Sequence, residues 1–185
     1  MKVPGIRLRL LPKIVALLWR SYAFCYAHLY GRLFFAGFGR NNFVHPTVSV
    51  RNYSSIYIGN SVTLNRNVCI WPSKLTIGDR VEINPGVCIY GDVIIGNNVM
   101  IAPHCMLAGG NHGVARNGIP MINQPCTSNG IVIKHDVWIG ANSSVLDGVT
   151  IAEGCVIGAG SVVTKSTISY GIYGGVPATL LRKRT

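Results

Sequence analysis

One histidine stands in a setting that suits acid–base chemistry. His112 lies in the segment Gly109-Gly110-Asn111-His112-Gly113, where glycines allow the backbone to pass close to a ligand. An imidazole has a pKa near neutrality, so it can remove a proton from a hydroxyl or amine that attacks an electrophile. By its position alone, His112 is equally well interpreted as a solvated loop histidine.

The remaining histidines and the cysteines offer weaker chemistry. Four histidines are expected to be structural or solvated: His28, His45, His104 and His135. Six cysteines lack CxxC spacing, which favours small buried hydrophobes in a reducing compartment over disulfides or a metal site. They are Cys25, Cys69, Cys88, Cys105, Cys126 and Cys155. We therefore predict no metal.

The charge is unevenly distributed. The formal net charge is +11, and residues 1–78 contain ten Lys or Arg but no Asp or Glu before Asp79. Such a protein favours anionic partners: nucleic acid, an anionic membrane surface or a phosphorylated ligand. No basic face interleaved with aromatic residues and no nucleic-acid motif accompanies the charge, so we expect no nucleic acid.

A repeat of six residues determines the expected fold. Branched aliphatic residues recur at Ile77, Ile83, Ile89, Ile95, Ile101 and Leu107, and again at Ile133, Ile139, Val145, Ile151, Ile157 and Val163. Period six contains period two, so each unit is a short strand followed by a turn, and corners rich in Gly, Asn and Asp fit that turn. The pattern predicts a triangular parallel β-helix at residues 41–170, in preference to a β-sandwich.

The register breaks between Leu107 and Ile133. This separation is not a multiple of six, so residues 108–130 should leave the prism as a loop. Long ordered loops on rigid scaffolds commonly carry function. The loop contains His112.

Residues 1–40 do not follow the repeat. Apolar residues spaced by three and four predict an amphipathic helix: Ile14, Leu17, Leu18, Tyr22 and Cys25. Basic residues accompany them: Arg7, Arg9, Lys13, Arg20 and Arg32. The helix is expected to cap the first coil, and peripheral binding to an anionic inner membrane surface is the alternative. No secretory signal and no membrane-spanning segment are predicted.

Four stretches resemble a known enzyme family. They are IGNNVMIAP (95–103), GGNHGVARNGIPM (109–121), IVIKHDVWIGANSSVLDGVTI (131–151), and IGAGSVVTK (157–165) followed by GGVPATLLRK (174–183). From about residue 56 onward the chain is similar to the hexapeptide-repeat acetyltransferases. These include galactoside and maltose O-acetyltransferases and related polysaccharide and xenobiotic acetyltransferases. The resemblance implies a left-handed prism, a homotrimer and acetyl-CoA as the acetyl donor.

The resemblance also assigns functions to residues. It makes His112 the general base for transfer to a hydroxyl of a sugar or polysaccharide precursor, in the cytoplasm or on the inner membrane surface. On the acceptor side it places Asn84, Asp92 and Trp138, although Glu82 replaces a tyrosine of the family, which leaves the acceptor's identity open. Locally satisfied corner residues, or a trimer contact for Trp138, would explain these side chains equally well.

The donor side falls in the C-terminal coils and in a tail at residues 171–185. The resemblance places the donor's pantetheine arm at Ala141 and Ala159, its nucleotide end at Thr164, Lys165, Arg182 and Lys183, and a closing turn at Gly175 and Pro177. Cationic side chains suit the phosphates of CoA. A solvated basic tail is the alternative for the last two cations.

Three other functions are considered. An amino-sugar N-acetyltransferase would use the same base and donor site. A γ-type carbonic anhydrase shares the prism but needs three histidines on zinc, two of them five apart, whereas His104 and His112 are eight apart. A basic binding scaffold without enzyme activity is permitted by the charge alone.

Overall fold

The computed structural model describes residues 7–185, except for twelve side chains in the N-terminal helix, at positions 7–11, 20, 23, 24, 26–28 and 30. The charges expected at Lys2, Arg7, Arg9 and Arg20, and the side chain of His28, lie outside the described residues.

Residues 7–185 form one α-helix, eighteen strands and two short turns of 3-10 helix, at Tyr53–Ser55 and Met121–Asn123. The α-helix and the strands are α1 (Arg7–Phe34), β1 (Gly37–Phe38), β2 (Phe43–Val44), β3 (Ser49–Val50), β4 (Ile56–Ile58), β5 (Thr63–Leu64), β6 (Cys69–Ile77), β7 (Glu82–Ile83), β8 (Cys88–Ile95), β9 (Met100–Ile101), β10 (Met106–Gly109), β11 (Ile131–Ile133), β12 (Trp138–Ile139), β13 (Ser144–Leu146), β14 (Thr150–Ile151), β15 (Val156–Ile157), β16 (Val162–Val163), β17 (Gly171–Gly174) and β18 (Thr179–Lys183).

The strands stack into a parallel prism of about 7 turns with three faces. Face 1 contains β1, β4, β11, β14 and the second halves of β6 and β8. Face 2 contains β2, β5, β7, β9, β12, β15 and β17, and β18 adds an antiparallel edge. Face 3 contains β3, the first halves of β6 and β8, β10, β13 and β16.

The aliphatic ladder fills the prism. Ile58, Ile77, Ile95, Ile133 and Ile151 pair in register from coil to coil along face 1, and all are at most 4% exposed. Burying a side chain of this size contributes roughly 1.5–3 kcal/mol before chain entropy is subtracted. The inward residues predicted from the repeat are therefore the core.

Both irregularities in the early repeat have a structural cause. The side-chain ladder slips by two residues after Val50, where a turn of 3-10 helix at Tyr53–Ser55 lengthens the coil. A smaller slip follows at Ser73, where the pairing of β6 with β8 shifts register between Pro72 and Lys74. Both insertions lie where the chain turns a corner, so the inward faces on either side remain aligned.

Polar corner residues bond each coil to its neighbour. Along the corner between faces 1 and 2, a side chain on one coil accepts a hydrogen bond from a backbone N–H on the coil before it. The acceptors are Asn60 for Arg40 (2.9 Å), Asp79 for Asn60 (2.7 Å), Asn97 for Asp79 (2.8 Å) and His135 for Asn97 (2.9 Å). Hydrogen bonds from the backbone and side chain of Asn60 lower the pKa of Asp79. His135 is thus structural.

The inward cysteines and serines are buried as the repeat predicts. Cys105 and Cys155 lie in the core, where the Cys105 thiol donates to the Gly140 carbonyl at 3.1 Å. Burial raises the pKa of the Cys105 thiol. Ser143 and Ser161 both donate to the Gly158 carbonyl, at 3.0 and 2.6 Å, so neither hydroxyl is left without a partner.

Helix α1 packs against β1 and β2, the first coil. Trp19 lies 5.9 Å from His45 between ring centroids, and Phe35 meets Tyr53 edge to face at 5.3 Å. Several apolar side chains of α1 are nevertheless exposed: Ile14, Val15, Leu17, Leu18, Trp19 and Leu29. No helix in the described part of the chain combines the length and apolar character needed to cross a bilayer.

Candidate active site

Residues 110–130 leave the prism at the corner between faces 3 and 1. The register break predicts a loop from residue 108, but Ala108 and Gly109 still pair with the preceding coil and end β10. Gly109 ends β10, and β11 resumes at Ile131. Gly109 pairs with Gly91 on the preceding coil, and a Cβ added to Gly91 would overlap the Gly109 carbonyl. The absence of side chains lets the chain leave here without parting the coils.

Asp147 ties the two ends of this loop together. Its carboxylate accepts hydrogen bonds from the backbone N–H groups of Asn129 (2.9 Å) and Gly130 (2.8 Å). It also accepts from the side-chain amide of Asn111 at 3.0 Å. Backbone hydrogen bonds between Asn111 and Thr127, of 2.7 and 2.9 Å, join the two strands of the loop directly above. The loop therefore has a closed neck one residue below His112.

Gln124 holds the outer part of the loop. Its side chain is only 6% exposed, bonds both the N–H and the carbonyl of Ala115 at 2.8 Å, and donates to the Ile119 carbonyl at 2.8 Å. Gly113 packs closely against Gln124, where an added Cβ would come within 2.6 Å of the Gln124 Cβ. These contacts give the segment around His112 a defined path.

His112 lies at a cleft between the loop and the prism. The cleft has a volume of about 360 Å³ and is lined by Ser73, Tyr90, Gly91, Gly110, Asn111, His112, Cys126, Thr127 and Ser128. The imidazole is exposed, and its Nδ1 lies 3.5 Å from the Cys126 thiol. A partner at Nδ1 directs Nε2 elsewhere, so one ring nitrogen remains for a proton transfer.

Aromatic side chains from face 3 form the prism side of the cleft. Tyr90 lines it and meets Trp71 edge to face, with 5.8 Å between ring centroids. The neighbouring Cys69 thiol and partial burial raise the pKa of Tyr90, and the positive charge of Arg51 opposes this. Tyr90 therefore presents a protonated hydroxyl at neutral pH.

The three predicted acceptor residues lie around the prism rather than in this cleft. Asp92 is at the corner where the loop leaves, beside Gly130. Asn84 is at the corner between faces 2 and 3, where its side-chain oxygen accepts from Asn65 at 3.5 Å. Trp138 stands on face 2 and is 50% exposed, so its indole points outward as predicted. Their contribution to a site with His112 stays a prediction.

The predicted pantetheine residues share one corner. Ala141 and Ala159 are stacked on successive coils between faces 2 and 3, and the Ala141 carbonyl accepts from the N–H of Gly160 at 2.8 Å. Gly160 has φ +69, and a Cβ added there would meet nothing within 4 Å. The corner therefore presents small side chains and backbone with open space beside Gly160.

The other predicted donor residues lie at the C-terminal end of the prism. Lys165 and Thr164 follow β16 and are exposed, and the turn with Gly175 and Pro177 joins β17 to β18. This turn rests on β16, where the Val162 N–H donates to the Gly175 carbonyl at 3.1 Å. The turn bonds the first residue of β16, whereas Lys165 follows the end of that strand, at the corner between faces 3 and 1.

The basic tail is divided between a structural and an exposed part. Arg184 bonds Asp136 at 2.9 Å and the Gly154 carbonyl at 2.8 Å, the only ion pair found among the described side chains. Arg182 and Lys183 are exposed on β18, and neither is paired with a carboxylate among the side chains that the structure describes. Their charges are thus available to an anionic ligand.

Among the side chains that the structure describes, no group of three or more His, Cys, Asp or Glu could hold a metal ion. His104 occupies a corner with φ +60, and His45 contacts the Thr47 hydroxyl at 2.9 Å.

Residues 74–109 and 130–165 match the family described as bacterial transferase hexapeptide (six repeats), and the gap between them is the loop. The chain is 35% identical to galactoside O-acetyltransferase of Escherichia coli (strain K12) over 80% of its length, and it covers 64% of that protein. It is 29% identical to the putative colanic acid biosynthesis acetyltransferase WcaF of the same organism, covering 90% of this chain and 75% of that one.

A solved structure shares the architecture. The N-acyltransferase AntD from Bacillus cereus, in complex with dTDP and 3-hydroxybutyryl-CoA, superposes with a TM-score of 0.79 at 25% identity. The match covers 88% of this chain and 90% of that chain. Residues 74–109 and 130–165 therefore carry the hexapeptide repeat of bacterial transferases, and the chain spans a little under two thirds of the galactoside O-acetyltransferase that it matches. The resemblance predicted from the motifs and the fold class, a left-handed parallel β-helix, are confirmed.

Asp147→Ala should loosen the loop neck. The substitution removes an acceptor shared by Asn111, Asn129 and Gly130, so the loop should open more often and expose the bond after Arg116. We expect trypsin to cleave after Arg116 roughly tenfold faster, measured by mass spectrometry of the fragments, because a net hydrogen bond to a charged group is worth about 1.5–3 kcal/mol.

Glu153→Ala is the matched control, since it removes an exposed carboxylate that does not contact the loop. Equal rates of cleavage after Arg116 in the Asp147→Ala and Glu153→Ala proteins would contradict this function of Asp147.

Proposed function

We propose that this chain is an acyltransferase that moves an acetyl group from acetyl-CoA to a hydroxyl of a sugar or polysaccharide precursor, with His112 as the general base. The observation that carries the proposal is the exposed imidazole of His112, held over a cleft by a loop with a closed neck. The named O-acetyltransferases that share the repeats support the reaction class.

The geometry suits one proton transfer in each direction. Nε2 of His112 accepts the proton of the acceptor hydroxyl while that oxygen bonds to the thioester carbonyl carbon. The tetrahedral intermediate then collapses, the carbon–sulfur bond breaks, and the imidazolium returns the proton to the departing thiolate. The Cys126 thiol, 3.5 Å from Nδ1, holds the ring in this orientation.

The donor is proposed to lie along the corner of Ala141 and Ala159. Small side chains there allow the pantetheine arm to approach the backbone, and Gly160 keeps the adjacent space open. Thr164, Lys165, Arg182 and Lys183 would meet the phosphates, and the Gly175–Pro177 turn would close over the nucleotide.

A homotrimer would bring base and donor together. Within one protomer the Ala141–Ala159 corner and the loop corner lie at opposite edges of face 3, so the full width of that face separates them. A symmetric ring that sets one protomer's loop against the next protomer's corner removes this separation. The exposed Trp138 and Met100 on face 2 are candidates for the contact.

An amino-sugar N-acetyltransferase is the second candidate function. The observation that favours it is the similarity to AntD, an N-acyltransferase that has been solved with dTDP-4-amino-4,6-dideoxyglucose and Coenzyme A. Removal of a proton from the neutral amine as its nitrogen attacks the thioester carbonyl carbon would use the same imidazole. Matched hydroxyl and amino sugars, compared by the rate of CoA release, distinguish the two.

His112→Ala should lower kcat by about 10²- to 10⁴-fold, the usual contribution of a positioned general base. CoA release from acetyl-CoA in the presence of an acceptor panel measures this. CoA affinity and the trimer mass by light scattering should not change, because the exposed imidazole has no part in the prism core. His104→Ala is the control, and wild-type turnover in His112→Ala would refute the assignment.

Lys165→Ala should weaken CoA binding about three- to tenfold at low salt, with a smaller effect at high salt, because an exposed cation loses influence as salt screens it. Isothermal titration across a salt series measures this dissociation constant. Lys134→Ala removes an equally exposed cation between faces 1 and 2. Identical dissociation constants for the two variants at low salt would contradict the donor site.

The exposed part of α1 is proposed to lie on an anionic inner membrane surface, while the remainder of the helix caps the first coil. Leu17, Leu18 and Trp19 are exposed beside Lys13, and the chain has no acidic residue before Asp79. Apolar burial and attraction to anionic lipid act together in such helices. This position would suit an acceptor carried on a lipid.

Leu17→Ser with Leu18→Ser should release the protein from vesicles that contain anionic lipid. We expect co-sedimentation to fall at least about tenfold, because each leucine contributes apolar burial in the interface. Leu181→Ser, at the exposed tail, is the control. Equal co-sedimentation of the wild type, the Leu17→Ser/Leu18→Ser protein and Leu181→Ser would contradict membrane binding through α1. Binding of the wild type to neutral vesicles as strong as its binding to anionic vesicles would contradict it too.

A further inference from the structure

A column of outward side chains on face 3 leads away from the His112 cleft. Trp71 pairs in register with Tyr90, and Tyr90 pairs with Ala108, directly before the loop. Arg51 follows β3 and donates its backbone N–H to the Ile70 carbonyl, which brings it beside Trp71. Adjacent strands lie about 4.8 Å apart, so Arg51 is about 10 Å from the strand of Tyr90.

These side chains are arranged in a fixed order. The Arg51 guanidinium carbon lies 3.7 Å from the centroid of the Trp71 ring. The Trp71 indole N–H donates to the Ser49 hydroxyl at 3.1 Å, which fixes the ring plane. Trp71 also meets Tyr90 edge to face, at an interplanar angle of 84°.

The stacked guanidinium keeps its hydrogen-bonding edge. A cation–π contact uses the planar face of arginine and leaves its N–H donors, five in all, pointing along the plane. Arg51 is exposed, and the described side chains include no carboxylate paired with it. A planar, pre-positioned fork of donors is the geometry that binds phosphate in two places at once.

The rings supply the second half of a recognition site. Trp71 and Tyr90 are half-buried, so each presents apolar surface beside a polar group. The Tyr90 hydroxyl lies 3.7 Å from the Cys69 thiol and, with its raised pKa, remains a donor. Ser73 adds a hydroxyl at the edge of the same cleft. Apolar faces with a few polar groups suit a sugar ring.

We propose that Arg51, Trp71 and Tyr90 form an acceptor subsite for a saccharide phosphate. The sugar ring lies over Trp71 and Tyr90 with a hydroxyl toward His112, and the phosphate meets the guanidinium edge of Arg51. The inference rests on the proposed function, and it narrows the acceptor from any sugar to a glycosyl phosphate or diphosphate. Nucleotide-linked and lipid-linked sugars share this chemistry.

Four probes test the subsite by binding alone: glucose, glucose 1-phosphate, UDP-glucose and glucosyl farnesyl diphosphate. Isothermal titration at low salt gives each dissociation constant for wild type, Arg51→Ala and Arg66→Ala. Arg66 is an exposed arginine between faces 2 and 3, so its removal changes the net charge equally. Melting curves confirm that the variants are folded.

We expect wild type to bind the phosphorylated probes at least about tenfold more tightly than glucose, the effect of one strong charge-assisted contact. Arg51→Ala should lose this preference and Arg66→Ala should keep it. Tighter binding of UDP-glucose or of the farnesyl probe than of glucose 1-phosphate identifies a nucleotide or a lipid as the carrier. No preference for phosphate in wild type, or a preference that survives Arg51→Ala, overturns the proposal.

Failure of the subsite is separable from failure of acyl transfer. If CoA release with neutral sugars is rapid, depends on His112 and is unchanged in Arg51→Ala, the proposed acyl transfer is supported and the phosphate subsite is contradicted. If phosphorylated probes bind through Arg51 but no acceptor causes CoA release, the subsite is supported and the proposed acyl transfer is contradicted.

Discussion

Stacking of coils around one column of branched aliphatic side chains is the constraint on which the rest of this structure depends. Each short strand has too little surface to be stable alone, and it gains stability only when its inward residues meet those of the coils above and below. Ile77, Ile95 and Ile133 illustrate this, since each pairs in register with the next. Inward positions therefore admit little except aliphatic or small side chains, and chemistry must be placed elsewhere.

Side chains that could carry chemistry therefore lie at the corners and at the outward positions of the strands. Extra residues are tolerated at a corner because the strands before and after it keep their partners, as at Tyr53–Ser55, at Ser73 and at the loop of residues 110–130. The last insertion carries His112. The stacked coils are rigid, and Asp147, on the following coil, fixes the loop to them by accepting hydrogen bonds from its backbone.

Much of the fold can be predicted from the sequence, because each coil must bury an aliphatic side chain at the same position and the sequence therefore repeats every six residues. Period six, the inward ladder and the position of the loop are all consequences of burial, and each inward residue repeats the same signal. Handedness does not follow from burial, and it came from the resemblance to a family. Near Tyr53 and Ser73 the sequence shows only that the six-residue spacing is interrupted. The backbone shows at which corner the extra residues lie.

The candidate site was only partly predictable, because hydrogen bonds within it are aperiodic. His112 could be found from its glycine-rich setting and flanking motifs. Asp147, Gln124 and Cys126 could not, since they bond residues 5 to 36 positions away through a loop path that no pattern encodes. Trp71 and Tyr90 did carry a signal: both are aromatic residues at outward positions of neighbouring coils, each directly after a buried ladder residue, Ile70 or Ile89.

The distribution of charge follows from the same division between inside and outside. A prism whose interior holds no charged group must display every charged side chain, so its field is set by which corners carry cations. Acidic residues are largely engaged in holding coils or the loop, as Asp79, Asp136 and Asp147 show. Most of the excess positive charge is therefore left to face solvent, and ligands bearing phosphate would be drawn to the end of face 3 next to face 1, where Arg51 follows the first face-3 strand and the exposed Lys165 follows the last.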